Sequence, residues 1–422
     1  MRDDRRVTCV YDIEAVDPAR AAAGLAGEQS SGTFVAVPGE TDALRERHGA
    51  EVVDLELGEL RAPSLPTRSS PERVRAARAT IEFPMENIGT DIATLLTAVA
   101  GNLFELGDLT AARLRSLSLP REFVDAHAGP AFGVPGTRRL LGTERSAGGT
   151  SIDTASGVLI GTIVKPNVGL AEDDFRTAVR ELARASIDLI KDDELMTDPA
   201  YLPLETRVRV ATEEIRAAEQ VTGHPTMYAF NITGDLAGLR ARHDLVVAAG
   251  GRCVMLAIPV MGLPALQWLR SFAEVPVHGH RAGLAAQMRH PGLGVDYTAW
   301  QQLARLAGAD HVHVSGLGSK FYERDDEVVA NIAALQAPLG DTVAVLPTLS
   351  SGQTVHTPGP TFDAVGNTDL LMLAGGGIAG HPGGPGAGVA SLRAAWDAAC
   401  RGESLSDAAG ADPALAQALE QR

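Results

Sequence analysis

Ile187-Asp188-Leu189-Ile190-Lys191-Asp192-Asp193-Glu194 decides how this chain is read. A strand-like apolar run delivers a lysine and three carboxylates to its C-terminal end. Alternation along a strand puts Lys191 and Asp193 on one face, with Glu194 just beyond, where the chain can turn inward. Carboxylate oxygens suit a hard divalent cation such as Mg²⁺. An ammonium cannot ligate a cation, but a lysine that has reacted with CO₂ is a carbamate, an anionic oxygen ligand. Lys-Asp-Asp-Glu alone is more often a solvated turn, so the metal reading depends on its surroundings.

Outward from this stretch a rhythm repeats. Short runs of Val, Ile and Leu are each followed by a polar or glycine turn and an amphipathic segment. The expected strands are Val158 to Val164, Leu189 to Lys191, Met227 to Phe230, Cys253 to Ala257, Val275 to His278, His311 to Val314, Val343 to Leu346 and Leu370 to Leu373. Helices are clearest at Asp173 to Ala185, Leu236 to Ala249, Tyr297 to Ala307, Asp326 to Leu335 and Gly388 to Ala399. Eight βα units is the rhythm of a TIM barrel. A doubly wound open sheet is the alternative, but so many units would need a reversal in strand order.

Before about residue 130 the pattern differs. Strands are expected at Val7 to Tyr11, Glu51 to Leu57 and Ala79 to Phe83, and helices at Pro18 to Ala26 and Asp91 to Val99. Gly129 to Gly148, with repeated Gly, Pro, Arg and Thr, reads as a connection. The expected fold is α/β: a smaller N-terminal α+β, ferredoxin-like domain over 1–130 and a (β/α)₈ barrel over 131–422.

Composition narrows the function classes. The 422 residues exceed one small core. A formal net charge of -16 argues against a nucleic-acid partner, since no Arg cluster supplies a basic face. Local cations can still hold a small anionic substrate. Cys9, Cys253 and Cys400 are too few and too far apart for a disulfide framework or a zinc pattern. Neither a signal peptide nor a membrane span is legible, so a soluble cytoplasmic protein is expected.

In a barrel, catalytic groups lie at the C-terminal strand ends, and polar residues collect there. Lys165 closes strand one, and Lys191, Asp193 and Glu194 close strand two. Asn231 follows strand three, and His278, His280 and Arg281 close strand five. His311 and His313 end strand six, with Lys320 in its loop; Ser351 and Gly352 follow strand seven and Gly375-Gly376-Gly377 strand eight. Each has a bland alternative: a core histidine, a surface ion pair, a turn glycine. Recurrence at nearly every strand end counts against coincidence. The loops after strands seven and eight commonly bind phosphate through backbone N–H groups, which places one phosphate near Gly352 and Gly375 to Gly377. A second anion could be held opposite by Arg281 and His313, the Arg fork matching oxyanion geometry. A metal between anion sites suits a phosphorylated sugar or sugar acid.

These residues resemble the RuBisCO large-chain superfamily, and within it the RuBisCO-like proteins. Gly161-Thr-Ile-Val-Lys165-Pro-Asn-Val-Gly-Leu170 is similar to the strand-one lysine motif. Lys191-Asp-Asp-Glu194 resembles the motif whose carbamylated lysine binds Mg²⁺ with the Asp and Glu. His278-Gly-His-Arg-Ala282, Asp310-His-Val-His313, Lys320, Ser351-Gly352 and Gly375-Gly-Gly-Ile-Ala-Gly-His-Pro382 follow in family order. Glu28-Gln-Ser-Ser-Gly-Thr33-Phe34 and Gly101-Asn102 resemble segments that reach the partner subunit's site. The resemblance implies a homodimer with shared sites, further assembly being left open, and Mg²⁺ with CO₂ as the Lys191 carbamate.

The departures from true RuBisCOs are informative. There, Asn167 is a lysine, Phe34 a tryptophan and Gln353 a glycine, and the loop Val314 to Ser319 differs. CO₂ fixation is therefore not expected. His278-Gly-His-Arg, Arg289-His-Pro-Gly-Leu-Gly and Ser319-Lys-Phe-Tyr-Glu-Arg-Asp-Asp are most similar to RuBisCO-like proteins of branched sugar-acid (apionate-type) catabolism, which decarboxylate or cleave a phosphorylated 3-oxo acid. The resemblance implies enolate chemistry: Lys165 moves a proton at the enolate carbon, the Lys191 carbamate is an alternative base, His280 orients substrate hydroxyls, and Lys320 closes over the carboxylate or phosphate. Glu28, Thr33, Asn102, Asn167, Arg281, His313, Ser351, Gly352, Gly375 and Gly376 line the substrate. Three readings stand: a Mg²⁺-dependent lyase acting on a phosphorylated 3-oxo sugar acid, an enolase or isomerase acting on a phosphorylated ketose such as a methylthio-pentulose derivative, and a silent binding protein.

Overall fold

The computed structural model describes residues 5–32, 37–144 and 157–420. Its strands, in chain order, are β1 (Arg6–Ala15), β2 (Glu51–Arg61), β3 (Val74–Pro84), β4 (Leu109–Ser118), β5 (Leu159–Ile163), β6 (Leu189–Lys191) and β7 (Met227–Asn231). There follow β8 (Cys253–Ala257), β9 (Val277–His280), β10 (Leu293–Val295), β11 (His311–Ser315), β12 (Leu346–Leu349) and β13 (Leu371–Leu373). Two compact units result. The first is not contiguous: it joins Met1–Ala128 with Gly283–Ala307 and Leu339–Asp341, two segments that the sequence division assigns to the barrel.

The first unit is a five-stranded sheet in the order β10-β4-β1-β3-β2, antiparallel except where β10 runs parallel to β4. In β1 the alternating residues Val7, Cys9, Tyr11 and Ile13 are buried, which is the period-two pattern of a strand with one core face. Helix α1 (Pro18–Glu28) packs on β1, β2 and β3. Asp17 caps it by accepting from Arg20 N, and Pro18 sits in the first turn, where a missing N–H costs nothing. Helix α2 (Ile92–Ala100) is capped likewise by Asp91, and its Val99 carbonyl accepts the buried Tyr11 hydroxyl at 2.8 Å. The helix expected at Tyr297 to Ala307 forms, but in this unit.

The second unit is a closed barrel of parallel strands, β11-β12-β13-β5-β6-β7-β8-β9. Its strands are buried on both faces; all five residues of β7 are buried, so they read as continuous apolar runs. Leu159, Leu189, Met227, Cys253, Met255, Leu346 and Leu371 form its core. Helix α3 (Gly133–Leu140), in the stretch read as a connection, adds Val134 to that core. Gly133 is needed there: its φ is +51° and a Cβ would lie 2.3 Å from the Ala344 carbonyl oxygen. The buried Asp310 carboxylate accepts from Phe132 N (2.6 Å), Gly133 N (2.9 Å) and Val277 N (2.8 Å), tying this turn to the barrel.

Two barrel strands lie further along than expected. Val343 to Val345 are apolar because they meet α3, Ala344 O accepting from Val134 N at 2.9 Å, and the ladder begins at Leu346. The fifth barrel strand begins after Pro276, which has no N–H for the ladder, so His280 lies on the strand itself. Helix α4 (Leu204–Thr222) has no clean apolar stripe in the sequence, because its buried face includes Arg207 and Glu214.

Candidate active site

Strand β6 ends at Lys191, and Asp192, Asp193 and Glu194 follow it directly. The Lys191 side chain is 1% exposed; its Nζ donates to Asp192 O at 2.7 Å and lies 4.0 Å from Glu194 Oε2. Asp192, on the opposite face, is wholly structural. Its carboxylate takes the Tyr228 hydroxyl at 2.7 Å and Asn231 N at 2.8 Å, and pairs at 3.2 Å with the fully buried Arg207. Arg207 also donates to the carbonyls of Leu202, Met196 and Thr197. Asn231 Nδ2 donates to the Asp193 and Glu194 carbonyls at 3.3 and 3.2 Å. The backbone on either side of Asp193 is thus held, and its Oδ1 accepts from Leu195 N at 3.2 Å.

Around Asp193 and Glu194 the other strand ends converge. Lys165 Nζ lies 3.6 Å from Asp193 Oδ2 and donates to Asn167 Oδ1. His280 Nε2 lies 3.5 Å from Glu194 Oε2. Burial pushes the Lys191 ammonium below the usual lysine range, opposed by Glu194, Asp193 and Asp192. A depressed lysine keeps more of the neutral amine that reacts with CO₂. Among the described residues no group of three His, Cys, Asp or Glu side chains is gathered to hold a metal. Asp193 and Glu194 are two hard oxygen donors, and Lys191 between them completes an oxygen set only as its carbamate. The residues therefore fit Mg²⁺ on condition of that modification.

A chain of imidazoles runs through the barrel to this end. Thr137 Oγ1 donates to Gly133 O at 2.6 Å, so it must accept from His311 Nε2, 2.8 Å away. His311 Nδ1 then accepts from His278 Nδ1 (3.3 Å), and His278 Nε2 from His313 Nε2 (2.8 Å). His313 Nδ1, left as a lone pair, meets Ser350 Oγ at 3.1 Å. One hydroxyl thus fixes the tautomer of each ring in turn. Burial holds all three imidazoles well below the usual histidine range, His311 down to about 3, so they are neutral. The His280 ring stands edge-on to His313, 4.4 Å between centroids.

Arg281 forms a two-pronged pair with Glu323, Nη1 to Oε1 at 2.7 Å and Nη2 to Oε2. Lys320, three residues before Glu323, is exposed. Gly352 has φ +72°, beside the backbone of Ser319 and Lys320. The Oγ of Ser351 and the Oε1 of Gln353 are buried without a hydrogen-bond partner among the described residues. Glycines join the loops closely: a Cβ on Gly375 would lie 3.2 Å from Lys165 Cε, and one on Gly377 would lie 2.7 Å from Gln353 O, whereas Gly376 faces open space. The structure therefore brings Lys165, Asn167, Lys191, Asp193, Glu194 and His280 together, and groups Ser351 and Gly352 with the Lys320 loop.

Glu28 and Asn102 lie in the first unit, both exposed. Gln29 joins their segments: its amide lies 3.2 and 3.1 Å from Asn102 N and Leu103 N at one end and 2.8 Å from Thr97 O at the other, and assigning the oxygen to the two N–H groups and the nitrogen to the carbonyl satisfies both ends. Thr33 and Phe34 lie outside the described residues. Sequence reasoning missed Arg207, Thr137 and Glu323. The outward face of Asp192 was a signal for a buried cation; nothing in the sequence pointed to the other two.

A closed parallel barrel with lysines, carboxylates and histidine meeting at its C-terminal strand ends defines a barrel-enzyme architecture. Residues 144–421 match the ribulose bisphosphate carboxylase large chain, catalytic domain, and residues 1–123 match its N-terminal domain. The chain belongs to that family, among its RuBisCO-like members. It is 47% identical to the 3-oxo-isoapionate-4-phosphate transcarboxylase/hydrolase of Xanthobacter autotrophicus, covering 98% of both chains. It is 38% identical to the 3-oxo-isoapionate-4-phosphate decarboxylase of Rhizobium etli, again over 98% of each. The crystal structure of a rubisco-like protein from Burkholderia fungorum superposes with a TM-score of 0.90 at 42% identity, covering 99% of this chain and 100% of that one. No helix of the described residues is long and apolar enough to cross a membrane.

Proposed function

We propose that this chain is a cytoplasmic, Mg²⁺-dependent lyase that removes CO₂ from a phosphorylated 3-oxo sugar acid of the 3-oxo-isoapionate 4-phosphate type, and does not fix CO₂ on ribulose bisphosphate. The observation that carries the reading is the meeting of Lys165, Lys191, Asp193, Glu194 and His280 at one barrel end, with Asn167 where a carboxylase has lysine. The names of the relatives support the substrate class.

The neutral Lys191 amine adds to the carbon of CO₂, forming an N–C bond and releasing one proton. The resulting carbamate, with Asp193 and Glu194, would hold Mg²⁺. When bound, the ion supplies a Lewis acid for the substrate's ketone oxygen and its neighbour, lowering the cost of an enolate. The bond between the carboxylate and the adjacent carbon breaks, CO₂ leaves, and the electron pair stays on the substrate as the enolate. Lys165, steadied by Asn167 and Asp193, gives the proton to that carbon; in an enolase or isomerase the Lys191 carbamate would instead be a base for removing an α proton. His280 orients substrate hydroxyls. Ser351, Gly352, Gly375 and Gly376 take the phosphate, and Lys320 closes over it from its loop. Glu28, Thr33 and Asn102 complete the site from the partner subunit of a homodimer.

A second fate of the enolate is favoured by the 47% identical relative, which is named a transcarboxylase/hydrolase. In that fate the enolate forms a new carbon–carbon bond to the released CO₂ at another of its carbons, so the carboxyl group is transferred rather than lost. To test the reading, 3-oxo-isoapionate 4-phosphate is supplied with Mg²⁺, with and without bicarbonate. Consumption should depend on both, and should fall at least tenfold in CO₂-depleted buffer. Undiminished turnover after rigorous CO₂ removal would remove the carbamate from the account, and no consumption under any condition would remove the substrate class.

A further inference from the structure

Arg281 and His313, expected from the sequence to hold a second anion, are both already engaged from within the protein. The Arg281 guanidinium gives both prongs of its fork to the Glu323 carboxylate, in a pair whose side chains are only 15% and 4% exposed. That two-pronged geometry is the one by which arginine takes a phosphate. His313 turns Nε2 to His278 and Nδ1 to Ser350, in an order fixed from the far end by Thr137.

The geometry points to Glu323 as a built-in anion that sets the phosphate count of the substrate. Its carboxylate occupies the Arg281 fork that a second phosphate would need, so the site takes monophosphorylated sugar acids and turns away bisphosphates. To claim the fork, a phosphate must expel a nearly buried carboxylate from its cation, or lie against it as a like charge; either cost offsets the attraction between phosphate and guanidinium. Swinging Glu323 outward would also carry its loop, and Lys320 three residues earlier, away from the site. This deepens the function proposed above and rests on its substrate class, to which it adds the number of phosphates and the residue that enforces it.

The test reads binding rather than turnover. Ribulose 5-phosphate and ribulose 1,5-bisphosphate are titrated calorimetrically into the full-length protein, the Glu323→Gln and Glu323→Ala variants, and a Glu323→Ala/Arg281→Met double variant. Wild type should bind the monophosphate at least fivefold more tightly than the bisphosphate. Each single variant should tighten the bisphosphate tenfold or more, with the monophosphate within twofold, and the double variant should lose the gain. Glu323→Gln keeps the side-chain volume, so a poorly folded Glu323→Ala does not close the question. Equal affinity for both sugars in wild type, or no gain in the single variants, overturns the proposal. If the lyase reading fails, the 3-oxo acid is not consumed while the binding preference still appears. If Glu323 fails, consumption persists without the preference.

Discussion

At the scale of single residues, the cluster at the end of β6 divides its labour by alternation, with Asp192 outward and Lys191 and Asp193 inward. The outward acid is buried against Arg207, and breaking such a pair leaves an uncompensated charge, costing about 3–5 kcal/mol. Arg207→Met should therefore lower the urea unfolding free energy by about that amount, and adding Asp192→Asn should recover part of the loss. If the double variant is no better than the single, Asp192 is not the charge that Arg207 compensates. Lys165 makes a contrasting prediction. As a proton donor it should contribute roughly 10²–10⁴-fold in rate, so Lys165→Met should lose about that much turnover while Mg²⁺ binding, read by titration in the presence of bicarbonate, is retained. The inward residues were legible in the sequence because alternation is local. Arg207 was not, because its partner lies on the far side of a turn and its helix hides a cation on the buried face.

The elements make their own prediction through the histidine chain. His278, His311 and His313 are held neutral by burial, whereas in the unfolded chain they take up protons near the usual histidine pKa of about 6.5. Below that value the unfolded state binds more protons than the folded one, so the stability contributed by these residues is lost as pH falls from about 6.5 towards the depressed folded values. The slope is about 1.4 kcal/mol per pH unit for each. His311→Gln should reduce the slope of unfolding free energy against pH between 6 and 4.5 by about one proton, as read from urea melts. An unchanged slope would mean that His311 takes up a proton in the folded state. The barrel strands were legible as elements because parallel strands buried on both faces are continuous apolar runs. Their ends were less so: Val343 to Val345 are as apolar as a strand but serve α3, and Pro276 delays β9. The chain order of the histidines was readable; the hydrogen bonds among them depend on Thr137, a hydroxyl from the stretch read as a connection.

At the scale of the whole molecule, the two compact units do not follow the sequence boundary, because Gly283–Ala307 gives β10 to the first sheet. A local apolar pattern names a strand but not the sheet it joins, so β10 could not be assigned from sequence. Gln29 ties the Glu28 segment to Asn102, which supports the two acting as one patch. If that patch serves the partner's site, Asn102→Ala and Lys191→Ala proteins, each inactive alone, should recover up to about a quarter of wild-type activity after subunit exchange, by random pairing of equal amounts. Failure despite proven exchange would mean that each site is built within one chain. Loss of CO₂ through an enolate is decided by turnover of carboxyl-¹³C-labelled 3-oxo-isoapionate 4-phosphate in D₂O, followed by NMR. The label should leave its carbon, as CO₂ with deuterium in its place or transferred into a new acid. Exchange of an α proton with the label unmoved, or capture of ¹³CO₂ by ribulose bisphosphate as a stable acid, would contradict the account.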